Sequence, residues 1–144
     1  MTAGAVTRLL LPRAIVDELM AHARRALPHE ACGLLGGSIP EGLATTFHAA
    51  RNEHASPLRY SVDPEDLVRI VLGIEESGQE LVAVFHSHVG SAAIPSASDL
   101  REARYPDALY LIASMADAAA PPASALRAWR IVDGRATEVP IELG

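Results

Sequence analysis

One cysteine, Cys32, stands among 144 residues, and a lone thiol excludes an internal disulfide and any zinc knuckle built on several cysteines. That usage suits a reducing compartment. No apolar stretch approaches the roughly 20 residues of a membrane-spanning helix, and the opening MTAGAVTRLLLPRAIVDEL offers only a three-leucine run before charge returns, which is too little for a signal peptide. Basic blocks are also missing: none exceeds Arg24-Arg25, and the net charge is −6. A nucleic-acid backbone is therefore not the expected main partner. The glycine pair in LLGGS (34–38) lacks the lysine and the spacing of a phosphate-binding loop. There is no internal repeat and no linker. The expectation is a soluble, cytoplasmic protein with neither membrane nor nucleic-acid partners. It should form one domain over 1–144, since a chain of this size buries roughly 68–70% of its unfolded surface.

What is present reads as strands alternating with two or three helices. TRLLL (7–11) is a short strand; Pro12 then opens a helix in which Ile15, Val16, Leu19, Met20, Ala23 and Leu27 recur at near-helical spacing, and Pro28 ends it. ACGLLGG (31–37) and LATTFHAA (43–50) are hairpin partners across SIPEG. Asp63 caps a second helix with Pro64 at its first position and Leu67, Ile70, Val71 and Ile74 on one face. LVAVF (81–85) is continuously apolar, as a central strand covered on both faces must be. A third helix is expected near 96–104, a loop at 116–124, and strands at 107–114, 125–132 and 136–143, the last two joined by an Asp-Gly turn at 133–134. The fold class is α/β (α+β), with a mixed, largely antiparallel sheet flanked by helices.

Directly after the central strand comes His86-Ser87-His88. Residues i and i+2 of a strand share a face, so the two imidazoles project together while Ser87 points away, in support of the fold. Such a pair suits one metal ion, although a hydrogen-bonded structural pair has the same pattern. Asp99 is the natural third ligand. It also sits three residues after Ser96, the spacing of a capping box, and a cap can hold a ligand. Two histidines and a carboxylate make three protein ligands, the count of a catalytic zinc site, and a two-histidine, one-carboxylate iron site has the same donors. Turnover also needs a base, for which Glu30, at the threshold of an apolar strand, is the candidate; a solvated loop acid is the competing reading. Other templates fail. HEACG lacks the second histidine of H-E-x-x-H, the zinc deaminases need P-C-x-x-C, and no G-x-S-x-G elbow is present. Cys32 reads as a small buried hydrophobe, and His22, His29 and His48 as structural or solvated.

Taken together, Glu30, His86-Ser87-His88, seven residues, Ser96, two residues and Asp99 resemble the JAMM, or MPN-plus, motif of zinc metallopeptidases and deubiquitinating isopeptidases. The resemblance extends from about residue 8 to 141, through EACGLLGG (30–37), RNEHASPLRYSVDPED (51–66) and Ala128-Trp129-Arg130, while Val89 replaces the proline that commonly follows the second histidine. It implies an MPN/JAB domain of the cytidine-deaminase-like class. It also implies one zinc ion per chain on His86, His88 and Asp99, with Glu30 as general base, Ser96 as oxyanion donor and Asn52 in the substrate cleft. Relatives cleave amide or isopeptide bonds after the C-terminal Gly-Gly of ubiquitin-like proteins, and small bacterial ones resemble a peptidase that frees cysteine from a sulfur-carrier protein. A homodimer is compatible with this reading. Two alternatives are a metal-dependent hydrolase of a small amide and a non-catalytic MPN scaffold; scaffolds usually lose ligands, and here all are present.

Overall fold

The computed structural model describes residues 6–144. In chain order the elements are β1 (Leu9–Leu11), α1 (Arg13–Ala26), β2 (Cys32–Ser38), β3 (Leu43–Ala50), α2 (Pro64–Glu76) and β4 (Glu80–His88). They continue with α3 (Ala97–Glu102), β5 (Leu109–Ser114), α4 (Pro122–Ala125), β6 (Leu126–Val132), β7 (Arg135–Val139) and β8 (Ile141–Leu143). All eight strands lie in one sheet of order β7-β6-β5-β4-β2-β3-β1-β8. Pairing is antiparallel except where β1 meets β3 and β8 and where β4 meets β5 across the α3 crossover. This is the mixed, mostly antiparallel sheet that the sequence implies.

Three expectations change in detail. The strand expected over 136–143 is two strands, because Pro140 has no N–H to continue a ladder. Its carbonyl instead accepts from Leu9 N–H at 2.9 Å, so β7 and β8 end on opposite edges of the sheet order. Val139 from one edge and Leu9 and Leu11 from the other therefore share a core with α1. The third helix is shorter than 96–104, and the loop expected at 116–124 leads into α4, which starts at Pro122. Turn chemistry holds: Asp133 and Gly134 both have positive φ (51° and 73°), the backbone of a tight two-residue hairpin.

Each face of the sheet carries a helix. Ile15, Val16, Leu19, Met20 and Ala23 of α1 pack on Leu35, Phe85, Leu111 and Ala128. On the other face Ile70 and Ile74 of α2 pack on Leu34, Val84, Ile112 and Ile131. A 13-residue helix is marginal alone. The two isoleucines contribute about 3–6 kcal/mol by burial, and Asp63 caps the helix by accepting from Asp66 N–H. No helix among the described residues is long and apolar enough to cross a membrane.

Candidate metal centre

β4 runs through the middle of the sheet and carries both histidines at its C-terminal end. Alternation along it puts His86 and His88 on the same face as Val84, the α2 face, and Ser87 on the α1 face with Phe85. His86, His88 and Asp99 are all buried. Their ligand atoms form a near-equilateral triangle: His86 Nε2, His88 Nε2 and Asp99 Oδ2 lie 3.1 Å from one another. Ligand atoms about 2.0–2.1 Å from a tetrahedral zinc ion lie about 3.3 Å apart, so the spacing fits that ion. The capping box predicted from Ser96 and Asp99 is complete, with Asp99 N–H donating to Ser96 Oγ at 3.0 Å and Ser96 N–H to Asp99 Oδ2 at 2.9 Å. The cap and the candidate ligand position coincide in one carboxylate.

The hydrogen bonds around the triangle say what belongs inside it. His88 Nδ1 donates to the Ala92 carbonyl at 2.8 Å, which in the neutral ring leaves a lone pair on Nε2, aimed at Asp99 and at His86. Lone pairs and a carboxylate repel unless a cation or a proton lies between them. Burial lowers the His86 pKa and favours its neutral, ligating form. Burial also pulls His88 down, but the Asp99 contact, the Ala92 carbonyl and the charges of Asp99 and Glu30 outweigh it and raise the pKa. For Asp99 burial acts upward, yet His86, His88 and the Ser96 N–H hold it well below the usual carboxylate range. His86 is thus held neutral and Asp99 ionised, while the carboxylates and the Ala92 carbonyl around His88 draw positive charge, a proton or a cation, to its side of the triangle.

Glu30 comes level with His88. The pairing Cys32↔His86 is extended by Ser87 N–H donating to the Ala31 carbonyl at 3.0 Å, and Ala31 N–H donates back to Ser87 Oγ at 2.8 Å. Ser87 thus supports the fold, as its parity predicts. Glu30 is only 5% exposed. Burial lifts its pKa from 4.5 to about 7, with His88 pulling down and Asp99 pushing up. That value suits a group that takes and returns protons near neutrality. Ser96 is solvent-exposed, with its oxygen engaged by the cap and its hydroxyl proton free of the cap bond.

The side chain of Asn52, half-buried, is taken up by backbone groups. Its amide donates to the carbonyls of Glu30 (3.1 Å) and Arg59 (3.0 Å) and accepts from His54 N–H and Ser61 N–H (both 3.1 Å). All four of its hydrogen-bonding positions serve the backbone. Tyr60, which in sequence is simply part of the RNEHASPLRYSVDPED stretch (51–66) that carries some of the resemblance, stacks on His86 with ring centroids 4.1 Å apart and planes at 16°. Cys32 is fully buried with its thiol against the Arg51 carbonyl, and burial pushes its pKa up to about 12, so it behaves as a core residue. Trp129 reaches across the sheet to the loop before α3, where Nε1 donates to the Ala93 carbonyl at 2.9 Å. That bond ties down the segment leading to Ser96.

The profile of prokaryotic homologs of the JAB domain matches residues 12–132, which include every residue of this centre. The chain belongs to the prokaryotic JAB family. This JAB domain is 34% identical over 140 residues to the CysO-cysteine peptidase of Mycobacterium tuberculosis, covering 97% of this chain and 94% of the relative. It is 37% identical over 113 residues to a desampylase of Haloferax volcanii, covering 75% and 81%. Among solved structures, the solution structure of a Desulfitobacterium hafniense protein superposes with a TM-score of 0.84 at 34% identity, covering 94% of this chain and 92% of that one. The family assignment accounts for the resemblance carried by Glu30, His86, His88, Ser96 and Asp99.

Proposed function

We propose that this JAB domain is a zinc metallopeptidase that hydrolyses the amide bond after the C-terminal Gly-Gly of a ubiquitin-like or sulfur-carrier protein. The observation that carries the reading is the 3.1 Å triangle of two imidazole nitrogens and a carboxylate oxygen, level with a buried glutamate whose pKa is about 7. The names of the two curated relatives support the substrate class, since one is a CysO-cysteine peptidase and the other a desampylase.

His86, His88 and Asp99 would hold one zinc ion. When bound, zinc polarises a carbonyl and brings the pKa of water toward about 7. Glu30 accepts the proton of the attacking water and delivers it to the departing amine, in keeping with a pKa near the working pH. Ser96 donates its hydroxyl proton to the oxygen that gains charge as the carbonyl carbon becomes tetrahedral. A cavity of about 380 Å³ opens beside Asp99, with Leu34, Tyr60, Leu67, Val84 and Tyr105 among its walls. An extended tail without side chains at its last two residues can reach such a centre and hydrogen-bond along the backbone at its approach.

The test uses protein of measured zinc content and a carrier protein ending in Gly-Gly-Cys. Cysteine release that stops with chelator and in Glu30→Gln is the expected result. No release from stoichiometrically loaded protein overturns the substrate, and release that survives Glu30→Gln overturns the base.

A further inference from the structure

Ligating histidines ordinarily donate their second ring N–H to a carboxylate or a carbonyl, which fixes the direction of the ligand atom. His88 follows this rule through Ala92. His86 does not: its Nδ1 is buried and has no hydrogen-bond partner among the described residues. The ring is held instead by the face of Tyr60, stacked on it at 4.1 Å.

Tyr60 lies in the segment between β3 and α2, and Asn52 fastens that segment. Arg59 and Ser61, which flank Tyr60 on either side, are both bonded to the Asn52 side chain, one through its carbonyl and the other through its N–H. The backbone adds a bridge between Asn52 and Val62 and a bond from Glu53 N–H to the Ser61 carbonyl at 2.8 Å. The same segment takes both backbone groups of Glu30. Its carbonyl receives Asn52 Nδ2, and its N–H donates to the Ser56 carbonyl at 2.8 Å. One amide therefore ties the proposed base to the aromatic ring that covers a proposed ligand.

We infer that Asn52 and Tyr60 are positioning residues of the metal centre, with Tyr60 orienting His86 by stacking in place of the missing hydrogen bond and Asn52 holding Tyr60 and Glu30 in common register. This rests on the metal reading proposed above. Neither residue touches the reacting atoms in this role. Their effect appears in how well the triangle receives an ion and in how the base meets its proton.

The experiment measures zinc affinity by competition with a chromophoric chelator, and the visible absorption of the cobalt-substituted protein, for wild type, Tyr60→Phe, Tyr60→Leu and Asn52→Asp. Asn52→Asp keeps the shape and the two accepted bonds but loses both donated ones. Losing an outer partner of a metal ligand typically costs about 10–100-fold in affinity, so Tyr60→Leu and Asn52→Asp should each weaken zinc binding by at least about tenfold and alter the cobalt spectrum. Tyr60→Phe, which keeps the stack, should match wild type. Asn52→Asp should also lower kcat with KM unchanged when zinc is saturating, because Glu30 is displaced. Variants that bind zinc as wild type does, with unchanged cobalt spectra, overturn the inference and leave the metal reading standing. Loss in Tyr60→Phe equal to that in Tyr60→Leu overturns the stacking role. Wild-type protein that takes up no zinc overturns the metal reading and this inference with it.

Discussion

Replacing Glu30 by glutamine removes a charge and hardly changes a shape, and its two consequences oppose each other. The carboxyl is buried and its pKa rises from 4.5 to about 7. In the unfolded chain it ionises near its ordinary value, whereas in the folded protein the proton stays until the pH approaches 7. The folded state therefore loses stability relative to the unfolded one as pH rises through that window. At about 1.4 kcal/mol per pKa unit, the loss reaches about 3 kcal/mol above pH 7. Glutamine has no such proton to lose. Chelator-treated Glu30→Gln should thus be equal to wild type in stability near pH 4.5 and about 3 kcal/mol more stable at pH 8, measured by urea denaturation at both pH values. Metal-free protein is specified because a bound divalent cation favours the carboxylate and shrinks the difference. The same substitution should cost about 10²–10⁴-fold in turnover of the zinc-loaded protein. A variant no more stable than wild type at pH 8 refutes the claim that burial strains this carboxylate.

The acid limb of kcat/KM should titrate at or below about 7, the position set by burial of Glu30 and lowered further by a bound cation; a limb centred above that value contradicts the assignment. Ser96→Gly should cost only a few tenths of a kcal/mol, because glycine is a tolerable N-cap, yet slow turnover by about 10²–10³-fold through loss of the hydroxyl donor. Equal losses in the thermal melt and in activity would make Ser96 a cap alone. Ser87→Ala strands the Ala31 N–H that now donates to Ser87 Oγ at 2.8 Å. It should destabilise by about 1–3 kcal/mol in urea melts, and a variant as stable as wild type would sink the claim that Ser87 holds β4 to the start of β2.

How much of this could be read from the chain depends on the range of each cause. Local chemistry was legible: Asp63-Pro64 starts α2, Ser96 and Asp99 form a capping box, and Asp133-Gly134 turns a hairpin. Parity also sufficed to put His86 and His88 on one face and Ser87 on the other. The proline at 140 was visible, but where the chain goes after it depends on Leu9, more than a hundred residues away, and no local pattern encodes that pairing. The centre divides in the same way. The three proposed ligand positions follow from residue type and spacing, and Glu30, which by itself reads equally as a loop acid, is singled out by the family resemblance. The hydrogen bonds of Asn52 do not, because an asparagine facing a cleft and one binding four backbone groups look alike in sequence. Tyr60 is similar, since its stack on His86 exists only once the loop from Asn52 to Val62 has closed.

The most direct measurement compares wild type and Glu30→Gln at equal, measured zinc occupancy, following cysteine release from a Gly-Gly-Cys-tailed carrier in a single turnover. The account predicts one zinc per chain in both proteins and release at least about 100-fold slower in the variant. Release within tenfold of wild type, or a wild type that turns over without zinc, would contradict it.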